Sequence, residues 1–230
     1  MKRDRLLLVS ALVQFALFVP VTLWARKHRR SLSEIILSRH VQKQRPSFVR
    51  SLILVINSSI ASEAATNILA LPVAFFLWMR HLRLEALMTI MMCWTRGLVQ
   101  QVVKNIVDRP RPNPLLVHAV THPKTKSFPS GDVAASVCFW GWLMVLGWRT
   151  RYTRRDRQAS KGEVTFLGIP ALMVMLIGPA RIYLGAHWLT DVVGGYLFGG
   201  GWLSLTLHFY FRWRQKCKDA FCPTRANSER

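Results

Sequence analysis

Six long apolar runs, set apart by short basic stretches, give this chain its pattern. The first runs from Leu6 to Ala25 and stops against Arg26, Lys27, His28, Arg29 and Arg30. The second covers Leu52 to Trp78 and is interrupted by Asn57, Glu63 and Asn67. It is longer than a bilayer requires, so it tilts or only its second half spans. Pro72 is expected to kink it. A turn at Arg80, His81 and Arg83 leads into a third run from Leu84 to Val103, with Arg96 inside it. The fourth extends from Pro129 to Trp148, the fifth from Val164 to Ala180, and the sixth from Trp188 to Phe211. About 20 apolar residues carry a helix across a bilayer. The runs therefore predict an all-α membrane protein, a six-transmembrane-helix bundle forming one membrane-embedded domain over residues 1–211. Residues 212–230 read as a basic, flexible cytosolic tail. Glycines in the sixth run, Gly194, Gly195, Gly199, Gly200 and Gly201, let another helix approach closely.

Between the first two runs, Ser31-Leu32-Ser33-Glu34 has the form of a capping box, which starts a short helix carrying Leu32, Ile35 and Ile36 on one side and ending by Arg45-Pro46. A helix lying in the headgroup region and an ordinary basic loop both fit this stretch. Glu63 and Arg96 fall at membrane depth. Glu63 marks either a functional position or a polar contact inside the bundle, and Arg96 is expensive unless it faces a polar interior. The basic stretch from Arg149 to Lys161 reads as a solvated loop.

Alternating spans fix which ends meet. The end of span three, the start of span four, the end of span five and the start of span six share one membrane face, while the termini lie on the other. Lys and Arg are somewhat more numerous on the terminal side, so the termini are expected in the cytosol and the shared face in a lumen or outside. The endoplasmic reticulum or another endomembrane is the expected home. The first run is long for a secretory signal and lacks an obvious small-residue cleavage site, so it is read as a retained span.

Charge changes this picture little. The chain has 32 Lys and Arg against 11 Asp and Glu, a formal net charge of +21, with 51% hydrophobic residues. In a soluble protein such a balance suggests nucleic acid. Here the cations sit in the gaps between apolar runs, where they meet anionic lipid headgroups, and no nucleic-acid motif accompanies them. Of the four cysteines, Cys93 and Cys138 lie inside apolar runs as small hydrophobes, and no disulfide framework is indicated. Cys217 and Cys222 follow the last run, where palmitoylation and plain tail cysteines are both open readings.

The shared face collects the chemistry. Phe128-Pro129-Ser130-Gly131-Asp132 opens the fourth run, and a helix starting there aims backbone N–H groups at an anion. Lys104, Arg111 and Arg181 supply three cations, the arginines suited to paired bonds with phosphate oxygens. Ser130 can donate through its hydroxyl and Gly131 through an unhindered N–H. His187 and Asp191, four residues apart, share a face on a helical turn, so the carboxylate can hold one imidazole nitrogen while the other attacks. Fixed donors around the equatorial oxygens are what a phosphoryl transition state requires.

Three stretches carry a resemblance. Lys104, six residues, then Arg111-Pro112; Pro129-Ser130-Gly131; and Arg181, five residues, His187, three residues, Asp191 resemble the three signature motifs of the type 2 phosphatidic acid phosphatases, or lipid phosphate phosphatases. That family shares an active-site design with vanadium-dependent haloperoxidases. The resemblance implies a membrane lipid phosphate or diphosphate as substrate, a phosphohistidine on His187 oriented by Asp191, and hydrolysis without metal or cofactor. It places Lys104, Arg111, Ser130, Gly131 and Arg181 on the phosphate. Two positions depart from the pattern. Ala180 stands where the family has Ser, and Asp132 stands where the family has the His that protonates the leaving oxygen. Near Lys and Arg a carboxyl tends to lose its proton rather than hold it. Asp132 therefore acts as an acid only if burial or a phosphate keeps it protonated, or it suffices because the leaving group is itself a phosphate. The remaining readings are a lipid phosphotransferase and a catalytically weak protein that binds lipid phosphate or serves as a scaffold.

Overall fold

The computed structural model describes residues 2–43, 62–120, 125–153 and 161–221. Among them are seven α-helices and no strand: α1 Lys2–Lys27, α2 Leu32–Lys43, α3 Glu63–Met79, α4 Arg83–Val107, α5 Gly131–Thr153, α6 Lys161–Tyr183 and α7 Leu189–Phe221. The first half of the second apolar run, with Asn57 and the Arg45-Pro46 stop, lies outside the described residues, as do residues 154–160 and 222–230.

Local chemistry accounts for the helix ends. Ser62 caps α3, its Oγ accepting from the Ala65 N–H at 3.1 Å. Pro72 sits within α3 without ending it. At the far end of α4, Asp108 adopts a left-handed conformation (φ 49°) and its N–H still reaches the Lys104 carbonyl. Aspartate tolerates that region better than most residues, and Arg109-Pro110-Arg111-Pro112 then prevents any further helical turn.

Two expectations are refined by the structure. The helix of the sixth run does not stop at Phe211: α7 continues to Phe221. Its cationic residues are good helix formers extending an existing helix, so loss of apolar character was a poor marker of the end. The Ser31–Glu34 capping box does not form: the Ser31 hydroxyl faces Ser33 Oγ at 2.8 Å. The Ile35 N–H bonds the Ser31 carbonyl and α2 is present, but the Glu34 carboxylate turns to Arg109 and Thr190 on other elements.

The bundle is organised around α5 and α7. Gly195 and Gly199 of α7 lie against the backbone of α5; a Cβ on Gly195 would sit 2.9 Å from the Ser130 carbonyl oxygen, and one on Gly199 2.8 Å from that of Ala134. α1 runs along the other side of α7 and α6 along α5. One core joins Met92 and Cys93 of α4 to Cys138, Phe139 and Trp142 of α5 and Tyr210 of α7, with Trp142 donating to the Thr89 hydroxyl at 2.8 Å. Cys93 and Cys138 are buried free thiols, as their apolar settings predict. A second core under the candidate site joins Phe18, Val107, Phe128, Ala134 and Phe198.

The outer surface is apolar in patches too large for water. Leu6, Leu12, Leu17 and Leu23 on α1, Phe75 and Phe76 on α3, and Trp94 and Leu98 on α4 all face outward. Two stretches, Asp4–Lys27 and Gly131–Arg149, are long and apolar enough to cross a membrane, while Glu63–Met79 and Gly168–Tyr183 are apolar but shorter.

Candidate functional site

The site forms where the C-terminal ends of α4 and α6 meet the N-terminal ends of α5 and α7. Helix α4 delivers Lys104, buried in its last turn, and the proline-rich exit delivers Arg109 and Arg111. Arg111 is held along its length: Nε donates to the Thr125 carbonyl at 2.8 Å and Nη2 to the Thr125 hydroxyl at 2.9 Å. Its Nη1 donates to the Ala186 carbonyl at 3.0 Å and stands 3.1 Å from Nε2 of His187.

That last contact assigns the imidazole tautomer. A guanidinium has only donors, so Nε2 of His187 is the acceptor and Nδ1 carries the proton. Nδ1 faces Ser127 Oγ at 3.4 Å and Asp191 Oδ2 at 3.6 Å, while the Ser127 hydroxyl donates to the same carboxylate oxygen. The His–Asp pairing thus runs partly through a serine. Asp191 Oδ2 also accepts the Trp188 N–H at 2.9 Å, the reach-back of an N3 carboxylate to its own helix start. Its Oδ1 accepts from Arg109 Nη1 at 2.7 Å. Burial pulls the His187 imidazole below its ordinary range, with Asp191 opposing and Arg111 adding to the lowering. The ring is therefore neutral at physiological pH, and Nε2, its unprotonated nitrogen, is the candidate nucleophile, held at rest by the Arg111 donor.

Across the site, Asp132 in the first turn of α5 has both carboxylate oxygens engaged. Oδ1 accepts the Glu63 backbone N–H at 2.8 Å, and Oδ2 lies 3.2 Å from Arg181 Nη1. Glu63 in turn pairs with the fully buried Arg96 at 3.2 Å, and Arg96 donates to Gln100 at 2.5 Å. The polar interior that Arg96 requires is thus supplied by α3 and α4 themselves. A Cβ on Gly131 would collide with the Glu63 carboxylate and approach Gln100 Nε2 to 2.9 Å, so a side chain here would push both groups from their places beside Arg96. Ser130 is anchored by its N–H to the Asp191 carbonyl at 2.9 Å. Its Oγ, together with Nε and Nη2 of Arg181, is buried with no hydrogen-bond partner in the protein.

All eight residues singled out in the sequence come together here. Arg111 touches His187, His187 faces Asp191, Ser130 binds the Asp191 backbone, Gly131 abuts Glu63, and Asp132 pairs with Arg181. Lys104 lies in the combined field of Glu63, Arg111 and Asp132. Sequence reading missed Ser127, Arg109 and Glu34. Ser127 and Arg109 stand within three residues of Ser130 and Arg111, so proximity was their only signal; Glu34 had none beyond its capping pattern. Among the described residues no cluster of three or more His, Cys, Asp or Glu side chains is placed to hold a metal.

The sequence profile of the PAP2 superfamily matches residues 85–215, more than half of the chain. The chain belongs to this superfamily. The PAP2 match contains all eight site residues and leaves Glu34 and Glu63 outside it. Among curated relatives, the chain is 28% identical over 115 residues to phosphatidylglycerophosphatase B of Bacillus subtilis (strain 168), covering 50% of this chain and 53% of that one. It is 28% identical over 148 residues to lipid phosphate phosphatase delta of Arabidopsis thaliana, covering 59% of this chain and 33% of that one. The chain thus spans about half the length of one relative and a third of the other. The crystal structure of a transmembrane PAP2-type phosphatidylglycerolphosphate phosphatase from Bacillus subtilis superposes with a TM-score of 0.69 over 88% of this chain and 96% of that one, at 20% identity. The PAP2 fold is therefore shared well beyond the profile match.

Proposed function

We propose that this PAP2 protein is a membrane lipid phosphatase that hydrolyses a lipid phosphate or diphosphate through a phosphohistidine on His187. The observation that carries the reading is the set of buried donors without protein partners, Ser130 Oγ and two nitrogens of Arg181, at the same helix ends as a neutral His187. Buried donors of this kind require a partner, and a phosphoryl group bearing three oxygens supplies one. In the first step Nε2 of His187 attacks phosphorus, the P–N bond forms, and the bond to the leaving oxygen breaks. Asp191, through Ser127 and Nδ1, holds the positive charge that develops on the ring. Lys104, Arg111 and Arg181, with Ser130 and the Gly131 N–H, neutralise the equatorial oxygens. Water then attacks phosphorus, the P–N bond breaks, and His187 returns with phosphate released. The charge stabilisation comes from side chains, so the reaction proceeds without a metal.

Asp132 decides the substrate class. A carboxylate already accepting from the Glu63 N–H and paired with Arg181 is ionised at rest and a poor proton donor. A lipid alcohol leaves badly without a proton, whereas a phosphate leaving group needs far less help. The ionised Asp132 therefore favours a lipid diphosphate over a monophosphate. The same pair is also the observation behind the second reading, a lipid-phosphate-binding protein with weak turnover. Asp132→His separates the two, because a gain of monophosphate hydrolysis marks Asp132 as the limiting group.

The six apolar runs support a multi-pass arrangement with the site at one membrane face, turned to a lumen or the outside, and both termini cytosolic. The direct test of function is phosphate release from lipid mono- and diphosphates by purified protein in detergent with a chelator present. Release is expected, and His187→Ala is expected to abolish it; unchanged turnover in that variant would overturn the phosphohistidine mechanism.

A further inference from the structure

We infer that Glu34 and Arg109 are positioning residues for the His187–Asp191 pair, acting as a buried chain of charges that ties the site to α2. The inference rests on the phosphohistidine reading above. Arg109 lies fully buried between two carboxylates. Its Nη1 donates to Asp191 Oδ1 at 2.7 Å and to the Thr190 hydroxyl at 3.2 Å; its Nη2 donates to Glu34 Oε2 at 2.5 Å and to the His28 carbonyl at 3.0 Å. The guanidinium also lies over the Trp24 ring, 5.8 Å from its centroid. Glu34 Oε1 accepts the Thr190 N–H at 2.9 Å and the Thr190 hydroxyl, so one carboxylate binds both the first turn of α7 and the arginine that holds Asp191.

Stability alone is a weak explanation for this arrangement. Buried ion pairs lose so much hydration that apolar replacements of similar volume are often as stable. Geometry explains it better. Asp191 is fixed at both oxygens, Oδ1 by Arg109 and Oδ2 by Ser127 and Trp188, so it cannot rotate away when His187 becomes cationic. A planar fork that bridges two carboxylates at set angles does this; a lysine cannot.

Charge gives the second consequence. The charged groups facing His187 are Asp191 on α7, Arg111 on the α4–α5 segment and Asp132 on α5; those facing Asp191 are His187 and Arg109, with Glu34 of α2 beyond Arg109. Glu34 draws off part of the Arg109 charge. With Glu34→Gln, Arg109 acts undivided on Asp191, Asp191 holds the imidazolium less well, and the acid limb of the activity profile moves to lower pH. With Arg109→Gln, Asp191 loses its cation, holds the His187 proton more strongly, and the limb moves to higher pH. Arg109→Lys keeps the charge and loses the fork, so the limb stays near the wild-type position while kcat falls.

The experiment measures kcat, KM and pH profiles for wild type, His187→Ala, Glu34→Gln, Arg109→Gln and Arg109→Lys in detergent, with melting curves for each. Expected are kcat losses of about 10- to 100-fold, the range typical for outer-shell partners of site residues. KM should stay within about twofold, the mark of an interaction made in the transition state, and the two Gln variants should shift the limb in opposite directions. Should Arg109→Gln fail to fold, Glu34→Gln and Arg109→Lys still carry the test. Release that depends on His187 but persists at wild-type kcat in those two variants overturns this inference alone, as does a kcat loss with no shift in Glu34→Gln. Release unchanged in His187→Ala overturns the underlying mechanism instead.

Discussion

Replacing Asp132 by Asn keeps the shape of the side chain and removes its charge, which isolates the electrostatic role of the Asp132–Arg181 pair. The two groups are 3.2 Å apart, with side-chain exposures of 19% and 8%. At an effective dielectric of 20 the attraction is roughly 5 kcal/mol. Lost hydration of both ions offsets most of this, leaving about 1–2 kcal/mol that an incoming phosphoryl group must overcome to take Arg181, or a factor of about 5–30 in affinity. Asp132→Asn should therefore lower KM for any lipid phosphate by about that factor. Its effect on kcat should depend on the leaving group. With a lipid monophosphate, whatever proton donation Asp132 retains is lost and kcat falls by more than it does with the diphosphate. With a lipid diphosphate the loss stays below about tenfold, since the departing phosphate needs little protonation. The assay is phosphate release from matched mono- and diphosphates of one lipid in mixed micelles. Equal kcat losses on both substrates refute the leaving-group argument, and a raised KM on both refutes competition between Asp132 and substrate for Arg181.

Two further outcomes follow from the geometry. Burial lowers the His187 pKa from its ordinary value, so the unfolded chain binds this proton at about 6.5 and the folded chain only at lower pH. Between those values the unfolded state holds more protons, so folding stability rises with pH across that window; melting temperatures in detergent should climb through it, and His187→Gln should flatten the climb. Activity should persist to below about pH 6.5 before the acid limb, and a limb above that refutes a lowered His187. Gly195→Ala places a Cβ 2.9 Å from the Ser130 carbonyl and from Val133 Cβ, where backbone cannot yield, whereas Gly168→Ala meets nothing within 4 Å. The first should destabilise by about 1–3 kcal/mol and reduce turnover by displacing Ser130, while the second should be neutral or stabilise by up to about 1 kcal/mol; similar melting temperatures for the two refute the close α5–α7 packing.

The sequence revealed the site better than it revealed the support behind it. Lys104, Arg111, Ser130, Arg181, His187 and Asp191 stand out because phosphoryl chemistry needs those side chains at short, regular spacings near the ends of apolar runs. The contacts that hold them obey no such spacing. Glu34 meets Thr190 from 156 residues away, and a glutamate three residues after a serine is equally well explained by a local cap. Ser127 carries no spacing that marks it, yet its hydroxyl stands between His187 and Asp191. Asp132 was legible as a departure, but its engagement at both oxygens, by Glu63 and Arg181, depends on how α3 and α6 pack against α5. The run of helix beyond Phe211 was hidden for a different reason: apolar character ends there while helix propensity does not.

The tie between Glu34 and the far end of the chain also sets an order of events during synthesis. Glu34 leaves the ribosome long before Arg109, and Arg109 before Thr190 and Asp191. Until α7 arrives, the arginine has only Glu34, the His28 carbonyl and the Trp24 ring as the partners seen in the finished fold, and His187 lacks its carboxylate. The nascent protein thus carries no working site while its early helices are being placed. Completion of the last helix is the moment at which the bundle acquires its central element and the chemistry becomes available, so truncation within α7 should yield neither a packed bundle nor a working phosphatase.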